Sequence, residues 1–228
     1  MTLSIIIPCL NEAAGITETL EALRPLRKRA TEVIVVDGGS GDDTVARAQP
    51  RADRVLTAPR GRALQMNAGA ARARGEILLF LHADCILPDA ADGLIIDGLM
   101  RSRRNWGRFD VRIASRHPLL RGVATLMNAR SRLTGIATGD QGIFVTRSLF
   151  EAAGRFPEIA LMEDIALSRR LKRFGMPLCL SHRISTSGRR WENRGVCRTI
   201  VLMWGLRLAY WLGADPDKLA LRYVPHRQ

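Results

Sequence analysis

The 228-residue chain is poor in cysteine, and its cysteines are arranged in no recognised pattern. Cys9, Cys85, Cys179 and Cys197 form no C-x-x-C pair and have no histidines at zinc spacing. This spacing argues against a zinc cluster and against a disulfide framework, and it suits a reducing compartment. The chain also begins directly in an apolar run, without the basic and apolar regions of a secretory signal. A cytoplasmic location is therefore expected.

The two common phosphate-binding motifs are absent as well. Neither G-x-G-x-x-G nor G-x-x-x-x-G-K-[ST] occurs, so a dinucleotide oxidoreductase and a P-loop enzyme both lack their principal signature. The first apolar run ends instead in Pro8-Cys-Leu-Asn-Glu12. Asn11 and Glu12 have two interpretations: they start a helix by capping it, or they read a base or ribose.

Lysine is scarce although the chain is strongly basic. Only three of the 35 basic residues are lysines, which leaves 32 arginines, and the formal net charge is +13. Such a charge attracts anions, among them nucleotide diphosphates, an acidic membrane face and nucleic acid. The arginines are scattered among alanines and form no nucleic-acid-binding motif, so we expect no nucleic-acid partner.

Strand and helix patterns alternate along the first half of the chain. This order predicts parallel pairing with right-handed crossovers, and the length suits a single α/β domain with helices on both faces of a mostly parallel sheet. The predicted strands are 3–8, 33–36, 54–57, 77–81, 106–113 and 142–146, and the predicted helices are 14–29, 42–48, 61–73, 89–102, 118–133 and 164–174.

Two of the predicted strands end in an aspartate. The run 77–81 is followed by His82-Ala-Asp84, and the run 33–36 is followed directly by Asp37 and the sequence Gly-Gly-Ser40. In an open α/β sheet, ligands bind at the carboxyl ends of the strands. The sequence therefore predicts that two carboxylates lie at the ligand-binding edge.

Arginines open the helix that follows the third strand. Arg60 and Arg62 are either a solvated basic turn or, beside a helix N-terminus, a favourable place for a phosphate. Asn67, further along the same helix, is a weaker candidate for the same site.

The ordered set of these segments resembles family 2 glycosyltransferases, which have the GT-A fold. The resemblance is carried by Ser4–Glu12, Val35–Ser40 with Asp43 and Thr44, Phe80–Asp84, Gly139–Gly142, Met162–Asp164 and Arg189–Trp191, in that order. The short length and the Leu-His-Ala-Asp sequence are most similar to the small branch called rSAM/selenodomain-associated transferases.

The resemblance implies a nucleotide-diphosphate-sugar donor and a divalent cation, Mn²⁺ or Mg²⁺. It makes Asp84 the metal ligand, and it assigns base and ribose to Asp37, Ser40 and the Pro8–Glu12 turn. His82 stands where the family usually has the first carboxylate of Asp-x-Asp, which removes one negative charge from the metal site. Its neutral imidazole is expected to hydrogen-bond to the ribose. A divalent cation suits the reaction because it stabilises the charge that develops on the departing diphosphate.

On the acceptor side, the resemblance makes Asp164 the general base of an inverting transfer. Asp140, Gln141 and Glu163 are expected beside it. A capping role for Asp164 at a helix start is the alternative, and the two roles are compatible.

The sequence Ser187-Gly-Arg-Arg-Trp191 resembles the Gln-x-x-Arg-Trp motif of polymerising members, with Ser187 in place of Gln. This difference argues against a processive synthase. Arg190 is a candidate for a phosphate and Trp191 for a sugar face, the alternative being a buried Trp beside an exposed Arg. His182 is a further candidate metal ligand, although a lone histidine is more often structural.

The C-terminal run from Val196 to Leu212 is apolar but contains Arg198 and Arg207. It is too short and too charged for a spanning helix, which needs roughly 20 mostly apolar residues. A helix packed on the core is the first interpretation. An interfacial helix at the inner face of the membrane, or a homodimer contact, is the alternative.

We therefore expect one glycosyltransferase domain with a nucleotide-sugar half (about 1–87), an acceptor half (about 88–192) and a C-terminal helical segment (about 193–228). The acceptor is not identified by the sequence. A sugar nucleotidyltransferase and a noncatalytic nucleotide-sugar-binding module are the alternatives. The first would carry a Gly-rich basic loop where Cys9-Leu-Asn-Glu12 stands, and the second does not need both Asp84 and Asp164.

Overall fold

The computed structural model describes residues 1–223, except for the side chains of Arg190, Asn193 and Arg194. In this part of the chain, eight strands form one sheet: β1 Leu3–Cys9, β2 Glu32–Asp37, β3 Arg54–Thr57, β4 Ile77–Phe80, β5 Cys85–Ile86, β6 Trp106–Ala114, β7 Ile143–Thr146 and β8 Leu178–Ser187. Their spatial order is β3-β2-β1-β4-β7-β6-β8-β5.

Helices follow most of these strands. They are α1 Ile16–Ala22, α2 Arg24–Arg27, α3 Thr44–Ala48, α4 Arg62–Arg72, α5 Ala91–Ser102, α6 Pro118–Thr134, α7 Arg147–Ala152, α8 Glu163–Leu171, α9 Arg189–Arg194, α10 Val196–Trp211 and α11 Pro216–Tyr223. Two 3₁₀ turns cover Gly139–Gln141 and Lys172–Phe174.

The predicted parallel half of the sheet is confirmed. β1 pairs in parallel with β2 and β4, and β2 pairs in parallel with β3. The second half is mixed: β7 runs antiparallel to β4 and β6, while β6 and β8 are parallel. Because β7 is antiparallel to β4, its first residues lie at the same edge as the carboxyl end of β4.

Strand β1 shows why the sheet has helices on both faces. Ile5 and Ile7 pack with Leu20 of α1 on one face, whereas Ile6 packs with Met66 of α4 on the other. A strand buried on both faces needs apolar side chains at successive positions, which explains its uninterrupted run of isoleucines.

The predicted secondary structure differs from the structure at several points, two of which have a clear physical reason. The single helix predicted over 14–29 is divided into α1 and α2, and Pro25 lies in the first turn of α2. Proline lacks the N–H that continues a helix but suits its first turn. Strand β8 was not predicted, because the exposed polar residues 181–183 interrupt its apolar pattern.

The C-terminal segment packs on the domain by one face. Leu206 of α10 and Leu219 of α11 are buried in a cluster with Ile165 of α8. The core-packed interpretation is therefore confirmed for that face. Within residues 1–223, no helix combines the length and the apolar character needed to cross a membrane.

Candidate functional site

The carboxyl ends of β1 and β2 form the first wall of the site. Cys9 and Asp37 are paired at the ends of these strands, and Pro8 is buried one residue earlier. The Asp37 side chain, only 3% exposed, accepts hydrogen bonds from the backbone N–H groups of Gly39 (2.9 Å) and Ser40 (3.0 Å) and from the Ser40 hydroxyl (2.5 Å). Asp37 therefore organises the loop that follows its own strand.

Asn11 joins the β1 turn to that loop. Its φ of 54° lies in the left-handed region, which asparagine tolerates better than most residues. Its N–H donates to the Ser40 hydroxyl at 2.9 Å, and its side-chain oxygen accepts from the Gly41 N–H at 2.9 Å. The Glu12 N–H donates to the Thr44 hydroxyl at 2.8 Å. The structure thus brings Asn11, Glu12, Asp37 and Ser40 together as one turn-and-loop unit.

Gln65 of α4 supports this unit and was not identified from the sequence. Its buried amide donates to the carbonyl of Cys9 (2.8 Å) and to that of Val36 (2.7 Å), so it links the ends of β1 and β2. A glutamine on the buried face of an otherwise apolar helix was the only signal for this role.

Three further residues of the α4 region were predicted in the site, and they lie in different environments. Arg62 forms an ion pair with the buried Glu163, with 2.8 Å between Nε and Oε1. Arg60 is exposed. The Asn67 amide donates to the Phe156 carbonyl (2.9 Å) and accepts from the Phe156 N–H (3.1 Å), which gives Asn67 a loop-holding contact.

The turn after β4 meets the 3₁₀ turn before β7. His82 Nδ1 lies 3.3 Å from a carboxylate oxygen of Asp140. Burial alone lowers the pKa of His82, but the hydrogen bond and charge of Asp140 outweigh it, so the pKa is raised. Gly139 leaves room for the imidazole, since a Cβ at this position would lie 2.2 Å from Nε2 of His82.

His82, Asp140 and Cys85 form a group with potential metal-binding atoms. One ligand atom from each lies within 4.8 Å of the others. Burial and the carboxylates of Asp140 and Asp84 raise the pKa of the Cys85 thiol well above its ordinary value, so the thiol is protonated. Asp84 is half-buried beside this group, and the Cys85 thiol lies 3.7 Å from one of its oxygens.

Asp164 is the second residue of α8 and contacts the same turn. One of its oxygens accepts from the Gly139 N–H at 2.8 Å, and the other accepts from the Ile165 N–H at 2.7 Å. A cavity of about 10 Å³ is lined by His82, Gly139, Glu163 and Asp164, among others. This is about the space that one water molecule needs.

Glu163 is a buried carboxylate with one unpartnered oxygen. Burial raises its pKa, and the opposing effect of Arg62 does not cancel this shift. Its Oε2 atom has no hydrogen-bond partner in the described part of the chain. Glu163 thus holds Arg62 with one oxygen and has hydrogen-bonding capacity left.

Two arginines near Asp164 were missed by the sequence analysis. Burial and the positive charge of Arg207 lower the pKa of Arg130 to about 10, although Asp164 acts in the opposite direction. Burial also lowers the pKa of Arg207, against the charges of Asp164 and Asp140. The Nε and one terminal nitrogen of Arg130 are buried without a partner among the described residues. These guanidinium groups lie on α6 and α10, and no local motif marks them.

The remaining predicted residues lie around the acceptor half. Gln141 is fully buried and closes the 3₁₀ turn by a capping box with Thr138. Trp191 is partly buried against the cluster of Leu120 and Val196. His182 is exposed on β8, and the side chain of Arg190 lies outside the described residues.

Comparison with known proteins agrees with this architecture. A family model described as glycosyl transferase family 2 matches residues 4–147. An uncharacterised glycosyltransferase of Mycobacterium tuberculosis is 40% identical over 87 residues, which are 36% of this chain and 33% of the relative. The chain thus matches about a third of the length of that relative.

Two solved structures show the same fold. TarS of S. aureus in complex with UDP-GlcNAc has a TM-score of 0.67 at 18% identity, covering 82% of this chain and 58% of that one. The mannosyltransferase PcManGT of Pyrobaculum calidifontis, in complex with GDP-Man and Mn²⁺, has a TM-score of 0.66 at 21% identity. The latter match covers 98% of this chain and 70% of that one.

Proposed function

Because the chain belongs to glycosyl transferase family 2, we propose that it transfers a sugar from a nucleotide-diphosphate donor to an acceptor hydroxyl, with inversion and with a divalent cation. The observation that supports this most directly is the meeting of two turns from distant parts of the sequence. His82 contacts Asp140 at 3.3 Å, and Gly139 donates to Asp164 at 2.8 Å. A candidate metal edge and a candidate base thus both adjoin one short turn.

The donor nucleotide is assigned to the unit built from Pro8–Glu12 and Asp37–Ser40. Both oxygens of Asp37 are engaged by the loop, so its role is to hold the loop in a shape that receives base and ribose. Arg60, exposed at the entrance to α4, is assigned to the phosphates.

The residues present fit Mn²⁺ or Mg²⁺. His82 and Asp140 offer imidazole and oxygen ligands within one group, and Asp84 lies beside that group. The protonated Cys85 thiol does not compete for a hard cation. When bound, such a cation neutralises the charge that develops on the departing diphosphate. PcManGT was solved with GDP-Man and Mn²⁺, which supports the same pairing here.

Asp164 is proposed to take the proton from the attacking hydroxyl. Its two backbone hydrogen bonds fix the carboxylate beside the turn. The unpartnered guanidinium atoms of Arg130 are suited to bind an anionic oxygen that enters the site. Arg190 and Trp191 keep their assignment to the acceptor side.

A panel of nucleotide sugars tests this proposal. We expect a UDP- or GDP-sugar to raise the thermal midpoint only in the presence of Mn²⁺, and Asp84→Asn to remove that shift. A ligand at 100 times its Kd adds about 2.7 kcal/mol of stability, which corresponds to a shift of about 5–10 °C for a chain of this size. Asp89→Asn, at an exposed aspartate nearby, is the matched control.

Four outcomes would contradict parts of this assignment. Wild-type protein that responds to no nucleotide sugar is not a glycosyltransferase of this kind, and an unchanged Mn²⁺-dependent shift in Asp84→Asn removes Asp84 from the metal site. Binding without release of nucleoside diphosphate, with any acceptor supplied, favours the noncatalytic module. Formation of pyrophosphate from a nucleoside triphosphate and a sugar phosphate favours the nucleotidyltransferase.

A peripheral membrane contact is proposed for the outer face of α10. Four apolar residues of α10 and the residue that follows it are more than half exposed and recur at helical spacing. They are Val201, Trp204, Leu208, Trp211 and Leu212. Positions three, four and seven apart fall on one side of a helix, so these residues form a stripe. Tryptophans on an apolar stripe, with the exposed Arg198 on the same helix and a net charge of +13, suit an anionic lipid surface.

Flotation with vesicles tests the stripe. Vesicles of phosphatidylcholine and phosphatidylglycerol should carry the wild-type protein, and Trp204→Ser with Trp211→Ser should release it. A protein that stays off vesicles but changes from dimer to monomer with these substitutions would show that a second copy covers the stripe instead.

Three further assignments complete the proposal. Residues 1–87 are taken as the nucleotide-sugar half and 88–192 as the acceptor half, with 193–228 as the C-terminal segment. The small rSAM/selenodomain-associated branch remains our prediction for the subgroup. The proposed location is the cytoplasm, at the inner face of the membrane.

A further inference from the structure

A large cavity lies between the end of β6, the start of α6 and α9, apart from the turns described above. It measures about 770 Å³, within the range of small-molecule sites, and four of its lining residues are Arg112, Arg116, Arg121 and Arg183. All four arginines are exposed. Among the described residues that line it, only Glu192 is acidic, and its carboxylate already accepts a 2.6 Å hydrogen bond from Ser115.

The positive charges of this cavity are not neutralised by ion pairs among the described residues, whereas those of several other arginines are. Ion pairs hold Arg27, Arg29, Arg51, Arg62 and Arg155, among others. In contrast, no ion pair of the described residues includes any of the four cavity arginines. Arg112 donates only to the neutral hydroxyl of Ser185, at 3.0 and 2.6 Å. Four guanidinium groups around one concave space give it a positive potential that favours the entry of an anion.

We infer that this cavity binds the acceptor and that the acceptor carries a phosphate monoester. The inference rests on the proposed function, and it names the substrate class of the acceptor half. Guanidinium groups bind phosphate through paired, charge-assisted hydrogen bonds, and several of them around one space favour a doubly charged group. The Thr125 hydroxyl, which also lines the cavity and donates to the Arg121 carbonyl, has an oxygen that can accept a hydrogen bond from the rest of the acceptor.

Asn128 links the cavity to the 3₁₀ turn Gly139–Gln141 by hydrogen bonds. Its side-chain oxygen lies 3.4 Å from the amide nitrogen of Gln141 and accepts from the Val111 N–H at 2.9 Å. Gln141 ends the 3₁₀ turn whose Gly139 N–H donates to Asp164. Asn128 therefore lies between the cavity and the turn that contacts Asp164, so an acceptor held by the outer arginines is bound on the side of the molecule next to that turn.

A phosphate monoester can belong to a small soluble ester or to the headgroup of a lipid, and the test distinguishes these two sources. Glycerol 3-phosphate serves as the soluble probe, with glycerol as its uncharged control. Vesicles of phosphatidylcholine with phosphatidic acid serve as the lipid probe, and vesicles with phosphatidylserine control for negative charge without a phosphate monoester.

The test compares two variants that lose the same charge. The cavity variant is Arg116→Gln, Arg121→Gln and Arg183→Gln, and the control variant is Arg72→Gln, Arg101→Gln and Arg173→Gln. All six positions are exposed, so both variants should fold with the wild-type thermal midpoint. Calorimetry gives the affinity for glycerol 3-phosphate, and flotation gives the preference for phosphatidic acid.

We expect the cavity variant to bind glycerol 3-phosphate at least about 10-fold more weakly than wild type, as the loss of charge-assisted hydrogen bonds implies. The control variant should stay within about twofold. Binding to phosphatidic acid vesicles alone, lost only in the cavity variant, would identify the lipid as the source.

Equal losses in both variants would overturn the inference, because net charge and not the cavity would then explain binding. Wild-type protein that binds neither probe would overturn it too. Nucleotide-sugar binding is measured on the same samples: if it is present while both phosphate probes fail, the acceptor inference fails and the proposed function stands. If nucleotide-sugar binding is itself absent, the proposed function fails.

Discussion

The imidazole of His82 and the carboxylate of Asp140 are 3.3 Å apart, although 57 positions separate them in the sequence. His82 stands where the family resemblance leads one to expect an aspartate. Asp140 brings a carboxylate to that same edge from the other half of the chain. The local motif thus has one carboxylate fewer than the family pattern, and the tertiary structure places the Asp140 carboxylate beside it.

Gly139 is predicted to be essential for this contact. In Gly139→Ala the new Cβ would lie 2.2 Å from the imidazole, so His82 has to rotate away from Asp140. We expect Mn²⁺-dependent donor binding, followed by calorimetry, to weaken at least about 10-fold, equivalent to 1.4 kcal/mol. Gly122→Ala is the control, because a Cβ there meets nothing within 4 Å. Equal affinity in the two variants would show that the His82 position is unimportant.

Asp164→Asn separates catalysis from binding. Asparagine keeps a side-chain oxygen for the Gly139 N–H but takes no proton, so turnover should fall about 10²–10⁴-fold while nucleotide affinity changes little. Nucleoside diphosphate release measures the first quantity and calorimetry the second. Turnover close to wild type would leave Asp164 with a structural role and direct the search for the base to Asp140 or Glu163.

Asp37→Ala should weaken binding of the free nucleoside diphosphate even without an acceptor. The substitution removes the acceptor of three hydrogen bonds that shape residues 38–40, and we expect at least about a 10-fold loss of affinity. Asp43→Ala is a matched control on the same loop, where the carboxylate is 78% exposed. Wild-type affinity in Asp37→Ala would exclude the loop from the nucleotide site.

The ion pair between Arg62, in the nucleotide-sugar half, and Glu163, in the acceptor half, is predicted to stabilise the folded protein by holding the two halves together. Arg62→Gln leaves a carboxylate that is 3% exposed without its charged partner, which should cost about 1–3 kcal/mol of unfolding free energy in urea titrations. The double variant with Glu163→Gln should recover part of this loss. Arg60→Gln, two positions away and exposed, should change stability little. Additive effects of the two single substitutions would show that the pair is not coupled.

The parallel half of the sheet was predictable because its signals are local. Each of its buried strands needs several successive apolar residues, and the positions of Asp37 and Asp84 at strand ends follow from that pattern. Strand β8 was not predictable in the same way. Its exposed segment 181–183 lies at an irregularity in the pairing with β6, where Leu180 pairs with Phe109 and Arg183 with Asp110, 71 and 73 positions earlier.

The sequence by itself determined the α/β class, the edge at which Asp37, His82 and Asp84 lie, and the family resemblance, because apolar periodicity and short motifs act over a few residues. Only the tertiary structure decided the partners of these groups. The pairing of Arg62 with Glu163, the support of β1 and β2 by Gln65, the approach of Arg130 to Asp164 and the arginine-lined cavity all join elements far apart in the chain. Their geometry depends on how helices pack on the sheet, and no local pattern encodes it.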